Sequence, residues 1–339
     1  MDESMKYAVV FAGQGAQKPG MGKSLYEASP AARRVFDMAG EEIKHDCFEA
    51  DEVRLKQTEV TQPAVYTMDM AAYAALREAL GIGEGEAGFP APSGVAGFSL
   101  GEYAAFTAAG VIRSFAEGLA LVKTRAALMK AAGTDEGGRQ RGAMAAGMGD
   151  RDAVLDLVDK ARWEDILDAV NYNSPMQTVV AGDAAAVERF TALAAGDRRL
   201  GVKAKQLSVS GAFHSRLMQP AAEGLAEALR DYDFGAPTLP FYLNVTGQAY
   251  EDYEKISVGS VNARVKAILV CQIQSPVYWQ QAIEAMADAG INLIIEVGPG
   301  KTLSGLVKKI APGIAALNVQ DAESLRETVE IMKGGKRKG

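Results

Sequence analysis

In Ser93-Gly94-Val95-Ala96-Gly97-Phe98-Ser99-Leu100-Gly101-Glu102-Tyr103-Ala104-Ala105-Phe106, a short apolar run bounded by glycine turns through Gly-x-Ser-x-Gly into a helix of small residues. At a strand-to-helix junction that pattern has a mechanical meaning. Flanking glycines allow a sharp, strained bend that lifts the serine hydroxyl into open space and aims the next backbone N–H, that of Leu100, at an incoming carbonyl oxygen. The bland alternative is a glycine-punctuated turn in a core. What separates the two is whether a base stands within reach of Ser99.

The chain has two histidines, His45 and His214. A serine hydroxyl needs an adjacent base to become nucleophilic near pH 7, and imidazole is the usual one. His45 sits in the charged stretch Glu41-Glu42-Ile43-Lys44-His45-Asp46 and reads as a solvated surface residue. His214, in Ser210-Gly211-Ala212-Phe213-His214-Ser215, is then the candidate base, its alternative being a helix-start histidine bonded to backbone. No carboxylate occupies an obvious third position, so the residues leave triad and dyad both open.

Outward from the elbow, the periodicity alternates strand and helix. Tyr7 to Phe11 is a continuous apolar run, as expected of a strand buried on both faces of a parallel sheet. A glycine loop, Gly13 to Gly22, follows it. Helices are expected from about Ser29, over Ala64 to Leu80 after Thr61-Gln62-Pro63, and over Leu119 to Ala132. The Gly/Pro-rich connector Gly81 to Gly94 leads to the elbow. At Gly133 to Gly142 the chain becomes polar and linker-like. Beyond it the order is strand (Ala143–Met148), helix (Asp152–Ala161), strands at Leu167–Tyr172 and Gln177–Ala181, helix (Ala184–Ala195) and strand (Val202–Leu207). That βαββαβ order is the ferredoxin-like unit. A helix over Leu217–Tyr232, a strand over Phe241–Val245, a helix over Val277–Ala289 and a strand over Asn292–Val297 complete the pattern.

The expected architecture is therefore α/β: an α/β-hydrolase-like large domain with a parallel sheet and an inserted ferredoxin-like small subdomain. The expected boundaries are 1–134 and 208–320 for the large domain, 135–207 for the insert, and 321–339 for a C-terminal helix and basic tail.

Composition narrows the function. With 339 residues, 48% hydrophobic and 23% charged, the chain is of ordinary globular make-up in one or two domains. A net charge of −7 argues against a nucleic-acid binder. No apolar run is of membrane-spanning length, and the start lacks the basic-then-apolar build of a signal peptide. Cys47 and Cys271 form neither a disulfide framework nor a zinc spacing, so no metal is expected and the default location is cytoplasmic. Gly22-Lys23-Ser24 and Gly300-Lys301-Thr302 imitate the end of a phosphate-binding loop. Both lack its leading glycine, having Gln17 and Ile295 there.

Five segments in sequence order resemble the malonyl-CoA:acyl carrier protein transacylases and the acyltransferase domains of polyketide synthases. They are Gly13-Gln14-Gly15-Ala16-Gln17; Gly97-Phe98-Ser99-Leu100-Gly101-Glu102-Tyr103; Gly211-Ala212-Phe213-His214-Ser215; Gln272-Ile273-Gln274-Ser275-Pro276-Val277 with Trp279; and Glu296-Val297-Gly298-Pro299-Gly300. The resemblance spans about residues 7 to 310. It implies Ser99 as the acylated nucleophile, His214 as its base and the backbone carbonyl of Gln272 as the group orienting the imidazole. It implies an oxyanion hole from the N–H groups of Gln14 and Leu100, and Arg125 as the receptor for the malonyl carboxylate. Phe213 matches the malonyl-selecting form of its motif, where a bulky ring leaves little room for an α-methyl branch. Asn244, in Leu243-Asn244-Val245-Thr246-Gly247, is implied to have a supporting place near the substrate pocket. One residue departs from the pattern: Phe98 stands where the family usually has histidine.

The same resemblance implies malonyl-CoA as substrate, acyl carrier protein as partner with its phosphopantetheine thiol as acceptor, no bound cofactor, and a monomer. Arg198-Arg199 with Lys203 and Lys205, or Lys308-Lys309, would meet the acidic carrier. Two rival functions remain on this scaffold: a hydrolase that clears carrier-bound acyl groups, and a non-catalytic carrier-docking module. A carboxylate anchor at Arg125 argues against the first, and an intact Ser99, His214 and Arg125 set against the second.

Overall fold

The computed structural model describes residues 5–82, 89–135 and 137–334. The last five residues of the basic tail, much of the connector after Gly81 and Glu136 of the polar linker lie outside the described residues. The larger sheet holds β1 (Tyr7–Phe11), β2 (Gly94–Gly97), β7 (Phe241–Tyr242), β8 (Leu293–Val297) and β9 (Ala315–Val319), in the order β7-β2-β1-β8-β9 and parallel throughout. Counted within this sheet, the order is 3-2-1-4-5, a doubly wound pattern that reverses between β1 and β8. In such sheets the crevice beyond the carboxyl ends of the strands, at the reversal, is where ligands bind. The loops leaving β1 at Ala12 and β8 at Gly298 open there.

The smaller sheet contains β3 (Ala143–Met148), β4 (Leu167–Ser174), β5 (Gln177–Gly182) and β6 (Lys203–Gln206) in the order β4-β5-β3-β6, antiparallel throughout. Helices Arg151–Arg162 and Ala184–Gly196 pack on one face around Phe190 and Leu157, a core separate from that of the larger sheet. This is the ferredoxin-like order expected for the segment between the two halves of the larger sheet. Its strand β4 is pinned to the rest of the molecule at Val277. The Tyr172 N–H donates to the Val277 carbonyl and the Val277 N–H to the Val170 carbonyl, both at 2.9 Å, with Tyr172 stacked on Tyr278.

Several elements differ from their expected bounds. The helix expected from Ala64 begins at Thr58 and carries Pro63 inside it. A proline inside a helix cannot donate to the preceding turn. Here that first turn is held from outside the helix: Thr58 and Gln62 bond to Gln14, and the Thr61 hydroxyl donates to the Gln57 carbonyl at 3.0 Å. The expected strand over Phe241–Val245 stops at Tyr242, because the next backbone N–H groups turn to Gln248 and to the Glu102 carboxylate. Pro220 interrupts the expected Leu217–Tyr232 helix, giving a 3-10 turn over Arg216–Met218 and a helix over Gln219–Ala228. Strand β9 was not anticipated. Among the described residues, no single helix is long and apolar enough to cross a membrane.

Candidate active site

Strand β2 runs beside β1 with Gly97 level with Phe11, and the Phe98 N–H still bonds to the Phe11 carbonyl at 3.0 Å. The chain then reverses through Ser99, whose φ of 53° is in the left-handed region, into helix Gly101–Ala108. Neither flanking glycine has room for a side chain. A Cβ on Gly97 would fall 1.9 Å from the Gly101 carbonyl carbon, and one on Gly101 would fall 2.3 Å from the Phe11 carbonyl oxygen. Backbone atoms cannot step aside, so Gly97→Ala is expected to destabilise the fold by more than ~3 kcal/mol, the range of severe overpacking. Chemical denaturation measures this; a loss under ~1 kcal/mol would contradict the close packing of the bend.

His214 comes from the loop after the inserted unit and is also left-handed, at φ 65°. Its Nε2 lies 2.7 Å from Ser99 Oγ and its Nδ1 2.9 Å from the Gln272 carbonyl oxygen. A carbonyl can only accept, so Nδ1 carries the proton and Nε2 presents a lone pair to the hydroxyl. Burial, and after it the positive charge of Arg125, push the His214 pKa down to about 4. The imidazole is therefore neutral at pH 7. Among the described residues no carboxylate bonds to it; the third position is the Gln272 main chain. His45 is exposed on helix Glu41–Phe48, away from this pair.

Arg125, on helix Phe115–Ala132, is 1% exposed and reaches the same point. Nη2 donates to Ser99 Oγ and to Gln272 Oε1, both at 3.1 Å, and Nη1 to Gln62 Oε1 at 2.9 Å. The guanidinium faces the Tyr103 ring at 5.4 Å, and burial lowers its pKa. No carboxylate among the described residues forms an ion pair with it. A buried cation held by amides and a hydroxyl, with the charge of Glu102 acting on it from behind Gln272, would be further stabilised by an anion at the nucleophile.

Two residues that sequence reasoning passed over hold this geometry. Gln62 links Arg125 to Gln14, donating from Nε2 to Gln14 Oε1 at 3.2 Å. Glu102, in the first turn after the elbow and fully buried, accepts from the Asn244 N–H at 2.7 Å and from Gln272 Nε2 at 2.8 Å. Burial raises its pKa to about 7, against those bonds and the Arg125 charge. An acid in the first turn of a helix of small residues was the available signal for Glu102. Gln62 offered none, since a glutamine before a proline has many readings.

The other expected residues converge as well. Asn244 Oδ1 accepts from the Ser99 N–H at 2.8 Å and its Nδ2 donates to the Gly97 carbonyl at 2.7 Å. Its amide thus clamps the bend from both ends. Gln272 Nε2 also holds the Ser99 carbonyl at 2.7 Å. The backbone N–H groups of Gln14 and Leu100 have no protein acceptor among the described residues, and Leu100 is the cap of the following helix, whose dipole favours negative charge there. Phe213 is buried beside His214. Phe98 packs edge-on against Trp279 at 5.4 Å and lines a cavity of about 190 Å³ with Gln14, Asn173 and Gln177. A wider cleft of about 400 Å³ reaches His214 past Tyr172 and Arg216. The two phosphate-loop look-alikes are closed to that use: Gly22 faces Phe36 and Met68, and the N–H groups of Leu303 and Ser304 after Gly300-Lys301-Thr302 are taken by the Glu296 carboxylate.

A hydroxyl on a strained bend, an imidazole 2.7 Å from it and two backbone N–H groups without a protein acceptor among the described residues are the parts that acyl transfer through a serine would use. Residues 8–326 match the family model described as acyl transferase domain. The chain belongs to the acyl transferase domain family. It is 37% identical to the malonyl CoA-acyl carrier protein transacylase of Bacillus subtilis, over 97% of this chain and 98% of that protein. Among solved structures, the malonyl-CoA:acyl carrier protein transacylase of Xanthomonas oryzae superposes with a TM-score of 0.85 at 36% identity, covering 98% of this chain and 99% of that one. A malonyl-transacylase solved in complex with a type II polyketide synthase acyl-carrier protein superposes with a TM-score of 0.84 at 33% identity, covering 96% and 99%.

Proposed function

We propose that this acyltransferase moves a malonyl group from malonyl-CoA to the phosphopantetheine thiol of an acyl carrier protein, through a malonyl ester on Ser99. The observation that carries this reading is Arg125: a buried guanidinium with no carboxylate in ion-pair contact among the described residues, 3.1 Å from Ser99 Oγ. A planar fork of that kind suits the free carboxylate of a malonyl group and has no use on a simple acyl chain. Phe213, buried beside His214, gives that acyl group a bulky wall.

Ser99 Oγ attacks the thioester carbonyl as its proton passes to His214 Nε2, while Nδ1–H stays on the Gln272 carbonyl. The oxyanion sits between the Gln14 and Leu100 N–H groups, each such donor being worth ~3 kcal/mol in comparable sites. The C–S bond then breaks and CoA leaves as the thiol, taking the proton from His214. In the second half the carrier's thiol gives its proton to His214, its sulfur attacks the ester, and Ser99 Oγ is released with the proton restored. The same reading has the enzyme act as a monomer in the cytosol with no resident cofactor. The exposed Lys203 and Lys205 on β6, or Lys308 and Lys309 on helix Thr302–Ile310, would face the acidic partner.

Intact-mass measurement after mixing with malonyl-CoA tests the proposal. The expected product is a single malonyl adduct that disappears on adding carrier protein with its arm. No adduct, or an equal one from acetyl-CoA, would remove it.

The acid limb supplies a second expected result. His214 works only when neutral, so acylation is at full rate above its pKa and falls tenfold per pH unit below about 4. In the malonyl-enzyme the bound carboxylate offsets the Arg125 charge that helps to hold this pKa down. The limb for transfer out of the ester therefore lies at higher pH than the limb for its formation. Profiles of kcat/KM for malonyl-CoA and of single-turnover transfer, compared in one buffer series, check the order; coincident limbs would contradict it.

A further inference from the structure

Both donors and the oxygen of the Gln272 side chain are engaged, and Glu102 bears on which way round. Gln272 lies in the last turn of helix Val261–Ile273, where carbonyls have no intrahelical partner, and the residue four positions on is Pro276, which has no N–H. Its main-chain oxygen is therefore free for His214 Nδ1 at 2.9 Å. Its side chain serves other groups. The Ser99 carbonyl at 2.7 Å and the Glu102 carboxylate at 2.8 Å can only accept, so both meet the amide NH2. The amide oxygen is thereby turned to Arg125, accepting from Nη2 at 3.1 Å, and the same Nη2 donates to Ser99 Oγ at 3.1 Å. An unbroken chain of hydrogen bonds thus runs from Glu102 to the nucleophile.

Glu102 has a second obligation. Its other oxygen accepts from the Asn244 N–H at 2.7 Å, a main-chain group that cannot turn. Two donors converge on one fully buried side chain, so it must offer two acceptors, as a carboxylate does. An amide in its place has one oxygen. With that oxygen on Asn244, its NH2 would face the Gln272 NH2 until the Gln272 amide turned over. The turned amide would set an NH2 against the Arg125 guanidinium and an oxygen against the Ser99 carbonyl. Taking the malonyl-serine reading above as its basis, we propose that Glu102 is a positioning residue for substrate choice: through Gln272 it holds the Arg125 guanidinium in the orientation that receives the carboxylate of the acyl group. Charge by itself acts in the opposite sense, since a carboxylate near Arg125 opposes an incoming anion.

The quantity to measure is the ratio of kcat/KM for malonyl-CoA to that for acetyl-CoA. It is taken at pH 8, above the value of about 7 to which burial raises the Glu102 pKa, so that the parent carboxylate is ionised. Glu102→Gln is expected to lower the ratio ~10-fold, the scale of one hydrogen bond to a charged group. Gln272→Leu removes the relay, keeps the main-chain carbonyl on His214, and should lower the ratio by a similar factor. A general loosening of the site slows both thioesters together and leaves the ratio where it was, and loss of the Glu102 charge alone raises it. A ratio within about twofold of the parent, or above it, in either variant would overturn the proposal, so the test stands even where one of the two does not fold. If the parent enzyme itself shows no preference for malonyl-CoA, it is the malonyl-serine reading that fails, and the two failures are told apart before any variant is made.

Discussion

Ser99→Ala is expected to abolish the malonyl adduct and to lower transfer by at least ~10⁴-fold, the scale seen when a serine nucleophile is removed from a hydrogen-bonded catalytic unit. No second nucleophile is placed to substitute. Among the described residues Cys47 is buried in the core, and Cys271, exposed, is bonded to Ser275. Alanine keeps the Cβ and meets the same left-handed strain at φ 53°, so the fold should survive and the loss is chemical. His214→Ala should cost a similar factor, and the double variant no more than either single one. Ser99 and His214 act as one unit across 2.7 Å, and such effects do not add. A double variant a further ~10²-fold slower than the singles would mean that the two residues act independently.

Arg125→Ala is expected to lower kcat/KM for malonyl-CoA by ~10²–10³-fold while leaving that for acetyl-CoA unchanged or raised. Hydrogen bonds to a charged group are each worth roughly 1.5–3 kcal/mol, and a forked pair at the lower end of that span, about 3–4 kcal/mol together, corresponds to this factor. Arg125→Lys should recover little, because an ammonium cannot reach Gln62, Gln272 and a substrate carboxylate at once as the fork does. The informative quantity is the malonyl-to-acetyl ratio. Truncation strands the Gln62 and Gln272 oxygens and removes a buried charge, and those changes alter both substrates together. An equal fall for the two thioesters would make Arg125 a structural cation and leave the substrate class open.

Much of the fold was legible because its signals are local. The unbroken apolar run of β1, the glycines of the elbow and the βαββαβ order each depend on side chains within a few positions of one another. What escaped reading was decided by partners far along the chain. The helix starts at Thr58 rather than beyond Pro63 because Gln14, 44 residues away from Thr58, holds its first turn. Strand β7 is two residues long because Glu102, 142 residues from Asn244, draws the chain out of the sheet. Gln62 and Glu102 went unread at the site for the same reason: neither has a role until Arg125 and Gln272 are brought to it.

By itself the sequence determined that a serine stands on a forced bend between strand and helix. With two histidines in the chain, it also left few candidates for the base. Glycine at 97 and 101 and the apolar run before them are enough for that, since sterics at a tight turn act within a few residues. Tertiary structure alone decided that the hydroxyl, the imidazole and a guanidinium without an ion-pair contact among the described residues meet at one point. Their spacing of 115 residues from Ser99 to His214 and 26 from Ser99 to Arg125 says nothing about distance until three separate segments close around it. It also decided that amides hold Arg125. A carboxylate there would neutralise the cation and weaken the proposed hold on a malonyl carboxylate.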